Sequence, residues 1–475
     1  MYRTPLGTVT GSRRWTTVVT LVTAGSLAGS IAVAHRSPAI ERGGRDQTFS
    51  NPAGVHRTIT TAGTLDRGNP FFLELGSNGR SCFTCHRPAQ AWSVTPAELR
   101  ERFDTTAGLD PIFRANDGSN CAGADLSTMN KRGEAFTLLL TRGLIRVDLE
   151  VPKNAEFDVI DVDEPYGCGS PLTTVSMYRR PLPTTNLGFL SAVMWDGRQT
   201  APGMSIRDDL LVQARDAVVE HAEGTPPSAV QLGAIVDFEL GVFTAQERDH
   251  RAGNLAGAAV RGGPEALARQ PFCIGINDPL GMLPAVGGAC LGRTTSFDPR
   301  AFTLFAAWTD AESPERRSIA RGEAIFNTRQ FAITNVAGLN GGTTDPVAGP
   351  IATGSCTICH DTPNSGNHSV AMALNIGITT ATRRTLDLPL YTLRNRTTGE
   401  IVQTTDPGRA MVTGKWGDVS KFKGPILRGL AARAPFFHDG SAATLEEVIQ
   451  FYDTRFEIKF TEQEKADLLA FLRAL

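Results

Sequence analysis

The chain has 475 residues, 41% of them hydrophobic, with 47 Lys and Arg against 49 Asp and Glu and a formal net charge of -2. That length supports two or three ordinary globular domains and excludes a disordered tail or a disulfide-stapled miniprotein. The balanced charge lacks the basic excess that nucleic acid or an acidic membrane surface demands, so neither is expected as a partner.

In chain order, Arg13 and Arg14 precede an apolar run from Trp15 to Ala34 that closes on Ala32-Val33-Ala34, a small-x-small pattern. Residues 1–34 are therefore predicted to be a signal peptide, which places the mature protein in the periplasm or otherwise outside the cytoplasm. An uncleaved anchor is the rival reading, against which stand the Thr, Ser and Gly that dilute the run. Next comes Cys82-Phe83-Thr84-Cys85-His86, a C-x-x-C-H pentad, and a second one stands at Cys356-Thr357-Ile358-Cys359-His360. Two thiols one helical turn apart can add to the two vinyl groups of one porphyrin, and the adjoining His then reaches the iron. Two covalently bound haem c groups are expected, with Cys82, Cys85, Cys356 and Cys359 as attachments and His86 and His360 as iron ligands. A zinc knuckle or redox dithiol is disfavoured by the immediate His in each pentad.

Pentads in opposite halves of the chain imply two haem domains, with a seam near Glu312-Ser313-Pro314: 35–312 for the first and 313–475 for the second. The stretch Asp104 to Val175 reads as an insertion in the first. Cys121, Cys168, Cys273 and Cys290 allow three pairings, of which Cys121–Cys168 and Cys273–Cys290 are the local ones, and an oxidising compartment favours disulfides. Helices are predicted from Glu315 to Phe326, after Thr444 and from Thr461 to Leu475. In the last, Thr461 and Glu464 form a capping box and Leu468, Leu472 and Leu475 an apolar stripe. No alternating run is long enough to suggest a substantial sheet. The expected fold is mainly α, two cytochrome c-type haem domains with long loops.

Met194-Trp195-Asp196-Gly197-Arg198, Phe422-Lys423-Gly424-Pro425-Ile426-Leu427-Arg428 and Ala434-Pro435-Phe436-Phe437-His438-Asp439-Gly440-Ser441 resemble segments of the bacterial di-haem cytochrome c peroxidase and MauG superfamily. The resemblance implies that Trp195 lies between the two haems and relays electrons. It places an acidic side chain over the peroxide face of the first haem about ten residues beyond a Gln-Ala pair. Here Gln213-Ala214 points to Glu223, with His221 two residues away able to do the same proton transfer. The peroxidases of the family carry a blocking His soon after the first pentad, whereas no His occurs between His86 and His221, so the first iron is expected to be open. Trp92 is read as packing against the porphyrin. The resemblance also implies a distal ligand to the second iron fourteen residues after His438, which is Tyr452, with Met411 and His368 as weaker rivals. Many members bind calcium through an Asn before the Trp motif, but Arg180 stands there, so calcium is doubtful.

The function expected from this reading is a periplasmic peroxidase that reduces hydrogen peroxide with electrons from a small cytochrome c or cupredoxin. A MauG-like peroxide-driven oxidase acting on a protein or organic substrate is the alternative. A plain electron-transfer di-haem cytochrome is the reading from a different class.

Overall fold

The computed structural model describes residues 46–257, 259–281, 297–340 and 351–475. The predicted leader at 1–34 and Cys290 lie outside the described residues. Among those described, no helix is long and apolar enough to cross a membrane.

The fold is not mainly α. Among the described residues helix accounts for 31% and strand for 17%, with four sheets. In the largest, Gly54–Thr60 pairs antiparallel with Asp46–Asn51 on one side and with Val242–Asp249 on the other, and Gly253–Asn254 adds the edge. This sheet escapes a hydropathy reading because its inward positions are polar: His56, Thr58, Thr244 and Gln246 are at most 1% exposed. Hydrogen bonds satisfy them internally. The hydroxyls of Thr58 and Thr244 lie 2.8 Å apart, His56 Nε2 donates to the Pro88 carbonyl (2.9 Å), and Asn51 Nδ2 donates to Gln246 (2.9 Å). Burial with a period of two is present, but the apolar alternation that would report it is not.

The stretch read as an insertion is also strand-rich. Ile145–Glu150 pairs with Thr174–Arg179, and Phe157–Asp163 pairs with Leu390–Asn395, which pairs in turn with Ile401–Thr404. Phe157, Val159, Val175 and Met177 share a core with Tyr391, Leu393, Ala410 and Met411. The insertion is thus joined to sequence more than two hundred residues downstream. Cys121 and Cys168 form a disulfide, with Cα atoms 5.3 Å apart, that closes its long loop.

The C-terminal helices form as their patterns require. Thr461 caps Glu462–Arg473 reciprocally with Glu464, and Thr444 accepts from the Glu447 amide at the start of Leu445–Arg455. Leu468, Phe471 and Leu472 are buried in one core with Ile319 and Phe326 of the helix Pro314–Thr328. Each such side chain contributes about 1.5–3 kcal/mol of burial. The two helices touch at Gly322, where an added Cβ would lie 2.0 Å from the Asp467 carbonyl oxygen. Only glycine permits that approach.

Candidate functional site

Two cavities of similar size open in the protein. Cys82, Cys85 and His86 line the first, and Cys356, Cys359 and His360 the second. The helical turn Cys82–Cys85 and the turn Cys356–Ile358 bring each pair of thiols onto one side. In each pentad the His Nδ1 donates to a carbonyl six residues on: His86 to Trp92 (3.1 Å) and His360 to Gly366 (2.6 Å). This fixes the ring and leaves Nε2 as the metal-binding nitrogen. Burial pushes His86 down to about 4 and lowers His360 as well, so both imidazoles are neutral and able to ligate. The donor sets fit two covalently attached haems.

Trp195 lines both cavities. Its Nε1 donates to the Arg180 carbonyl (2.8 Å), and its own carbonyl accepts from the Lys423 amide (2.9 Å). Lys423 also lines both cavities, and burial lowers its ammonium to about 7. Trp92 is fully buried among Phe71 and Phe238. It donates from Nε1 to Thr58 (3.1 Å) and holds His86 through its carbonyl.

The pair offered for proton transfer separates sharply. Glu223 is exposed, sits at a left-handed backbone position (φ 53°) and is not among the residues lining the first cavity. His221 lines that cavity together with Gln213 and Ala214, at the C-terminal end of the helix Ile206–Glu220. Its Nδ1 donates to Asp117 Oδ2 (2.5 Å), and Asp117 Oδ1 accepts from Arg80 Nη1 (2.6 Å). Burial works against the Asp117 carboxylate, but the His221 hydrogen bond and the Arg80 charge outweigh it and hold its pKa below the ordinary value. The His221 carbonyl receives Asn78 Nδ2 (2.8 Å), Arg80 Nη1 (3.1 Å) and Asn116 Nδ2 (3.2 Å), so the helix end is clamped from two segments.

Tyr452 lines the second cavity with Phe436, Phe437 and His438, and burial pushes its phenol up. Neither Met411 nor His368 is among the lining residues. Met411 lies in the core shared with the insertion, and His368 Nδ1 is paired with Asp361 (2.9 Å).

Asp117, Arg80 and Glu239 were not singled out from sequence. Asp117 and Arg80 carry no local signal. Glu239 does: it is a lone carboxyl on the buried face formed by Ile235 and Val236 in Ala229–Leu240, and burial pushes it up to about 8 where it lines the first cavity. For calcium the residues do not fit, because the Arg180 guanidinium, itself buried, donates to the carbonyls at that place.

No protein-family model matches the chain. It is 38% identical over 76 residues to a cytochrome c551 peroxidase of Nitrosomonas europaea, a stretch covering 15% of this chain and 23% of that protein. It is 28% identical over 132 residues to the cytochrome-c peroxidase IdrP2 of Denitromonas iodatirespirans (26% and 36%) and 40% identical over 81 residues to the cytochrome-c peroxidase IdrP1 of a Pseudomonas species (15% and 21%). The match thus spans about a fifth to a third of the length of these curated relatives. A solved MauG-like protein associated with microbial copper homeostasis aligns over 90% of this chain and 93% of its own, with a TM-score of 0.36 and 16% identity. The curated relatives are named as peroxidases of one kind, and the matched stretches of this chain are similar to those cytochrome c peroxidases.

Proposed function

We propose that the protein is a periplasmic di-haem c-type peroxidase that reduces hydrogen peroxide with electrons from a small cytochrome c or cupredoxin. In this reading 35–312 and 313–475 each carry one haem c, and the apolar N-terminal run is the export signal. The observation that carries the proposal is the pair of cavities, each with its own Cys, Cys and His set, sharing Trp195 at their junction.

When bound, haem iron supplies peroxide binding and electron acceptance. The chain's own residues supply position and protons. Reduction of one peroxide takes up two electrons and two protons and releases two waters. His221 lines the first cavity, and in this reading it moves a proton between the two peroxide oxygens, which turns the leaving oxygen into water. Asp117 is a positioning residue: by accepting from Nδ1 it selects the tautomer in which Nε2 is the nitrogen that exchanges the proton. Glu223, exposed and outside the cavity lining, has no such placement. Trp195 offers an indole on the path by which the second cavity shares electrons with the first.

Stopped-flow mixing of the untreated ferric protein with one equivalent of hydrogen peroxide tests this. The expected result is a rapid change in the haem bands without prior reduction, slowed about 10²–10⁴-fold in His221→Gln and unchanged in Glu223→Gln. Reaction only after half-reduction would disprove the open first site, and no reaction at all would favour a plain electron carrier. The MauG-like alternative, an oxidase acting on a protein or organic substrate, draws support from Tyr452 in the second cavity. It predicts that small redox proteins fail as donors while a co-purifying substrate is oxidised.

A further inference from the structure

Arg180 is 5% exposed, and among the described residues no carboxylate pairs with it. A buried cation of this kind is strongly destabilising unless its donors are satisfied. Here backbone carbonyls satisfy them. Nη1 donates to the Arg142 carbonyl (2.7 Å), and Nη2 to those of Val94 (2.6 Å) and Arg433 (3.2 Å). These three oxygens come from three separate parts of the chain: Val94 follows the first pentad, Arg142 ends the helix Thr137–Arg142 of the insertion, and Arg433 directly precedes the Ala-Pro-Phe-Phe-His stretch. The Arg142 carbonyl belongs to a helix end, where carbonyls lack partners within the helix.

The surroundings are shaped to admit this side chain. Gly143, in the left-handed conformation (φ 65°), faces it so closely that a Cβ there would lie 2.4 Å from Nη1. The backbone of Arg180 is equally engaged. Its amide donates to the His438 carbonyl (2.6 Å), and its carbonyl accepts from Trp195 Nε1. One residue therefore joins the indole shared by the two cavities, the His438 segment, the insertion and the chain after the first pentad.

A calcium ion needs six to eight oxygens at roughly 2.3–2.6 Å. Placed on these carbonyls it would collide with the guanidinium and meet its positive charge. We infer that Arg180 is a built-in cation that occupies the place a calcium ion could take among these carbonyls, so that the junction of the two cavities stays assembled without metal.

The test is thermal unfolding of the holoprotein and of Arg180→Asn, each in excess EGTA and in excess calcium, with the haem absorption bands recorded alongside. The unsubstituted protein is expected to show the same midpoint and the same bands in both media. Arg180→Asn is expected to lose about 5 °C or more in EGTA and to recover part of the loss in calcium. An EGTA-dependent shift in the unsubstituted protein would overturn the inference. So would an unchanged midpoint in Arg180→Asn, or a loss that calcium does not restore. Should Arg180→Asn not fold, Arg180→Lys keeps the charge but cannot span three carbonyls: a lowered midpoint supports the inference and an unaltered one overturns it.

Discussion

His221, Asp117 and Glu239 give the first cavity two kinds of acid–base group. His221 and Asp117 form a paired donor and acceptor, whereas Glu239 is a carboxyl whose Oε2 has no hydrogen-bond partner and which burial pushes up to about 8. A raised folded-state pKa means that the folded protein holds a proton the unfolded chain has released above its ordinary value of 4.5. The associated stability is full below about 4.5 and is lost as pH rises through about 8, because the folded state binds more protons across that window. Glu239→Gln, which stays neutral at every pH, is expected to flatten this slope, a difference on the order of a few kcal/mol between its ends. Unfolding midpoints of the two proteins from pH 5 to pH 9 measure it, and parallel profiles would show that Glu239 titrates normally. The sequence offers both Glu223 and His221 for proton transfer, and of the two only His221 lines the first cavity. The two stand two residues apart, but the chain turns left-handed at Glu223 and carries its side chain to the surface. Spacing counted along a strand of text does not register such a turn.

The stretch from Asp104 to Val175 supplies part of the site at the scale of elements. Its Asp117 orients His221, its Asn116 clamps the same helix end, and its Arg142 carbonyl receives Arg180. The disulfide Cys121–Cys168 lies four residues beyond Asp117, and Cys168 Sγ is 3.4 Å from the Asn120 carbonyl. Replacing both cysteines by serine is expected to cost about 2–4 kcal/mol of stability through a looser unfolded-state constraint. It should also slow the peroxide reaction, because the loop that carries Asp117 is no longer tied. Thermal unfolding and stopped-flow rates measured on the same sample separate the two effects. A lowered midpoint with an unaltered rate would confine the insertion to a structural role. The function of this stretch was not legible from sequence, since its contacts with His221 cross more than a hundred residues.

Across the whole molecule, Trp195 stands where the two cavities meet, and the proposed function makes it the link between them. The indole borders both, is anchored at Nε1, and stands 6.2 Å from the His438 ring. Trp195→Phe is expected to leave the first haem's response to peroxide in place while slowing the second haem's response at least roughly tenfold, a barrier increase of about 1.4 kcal/mol. Time-resolved spectra of the two haems decide this, and equal rates in both proteins would remove the indole from the path. What the sequence determined by itself was chemistry encoded locally. The two C-x-x-C-H pentads name the cofactor because thiol spacing and the adjoining imidazole act within one turn of chain, and the capping box at Thr461 specifies its helix for the same reason. What only the tertiary structure decided was everything that depends on distant segments meeting. The sheet with His56, Thr58, Thr244 and Gln246 on its inner face hides its periodicity because polar side chains satisfy one another across strands. The proton-transfer candidate, the clamp around His221 and the cation held by three carbonyls follow from the path of the backbone through space, which hydropathy and spacing along the chain do not encode.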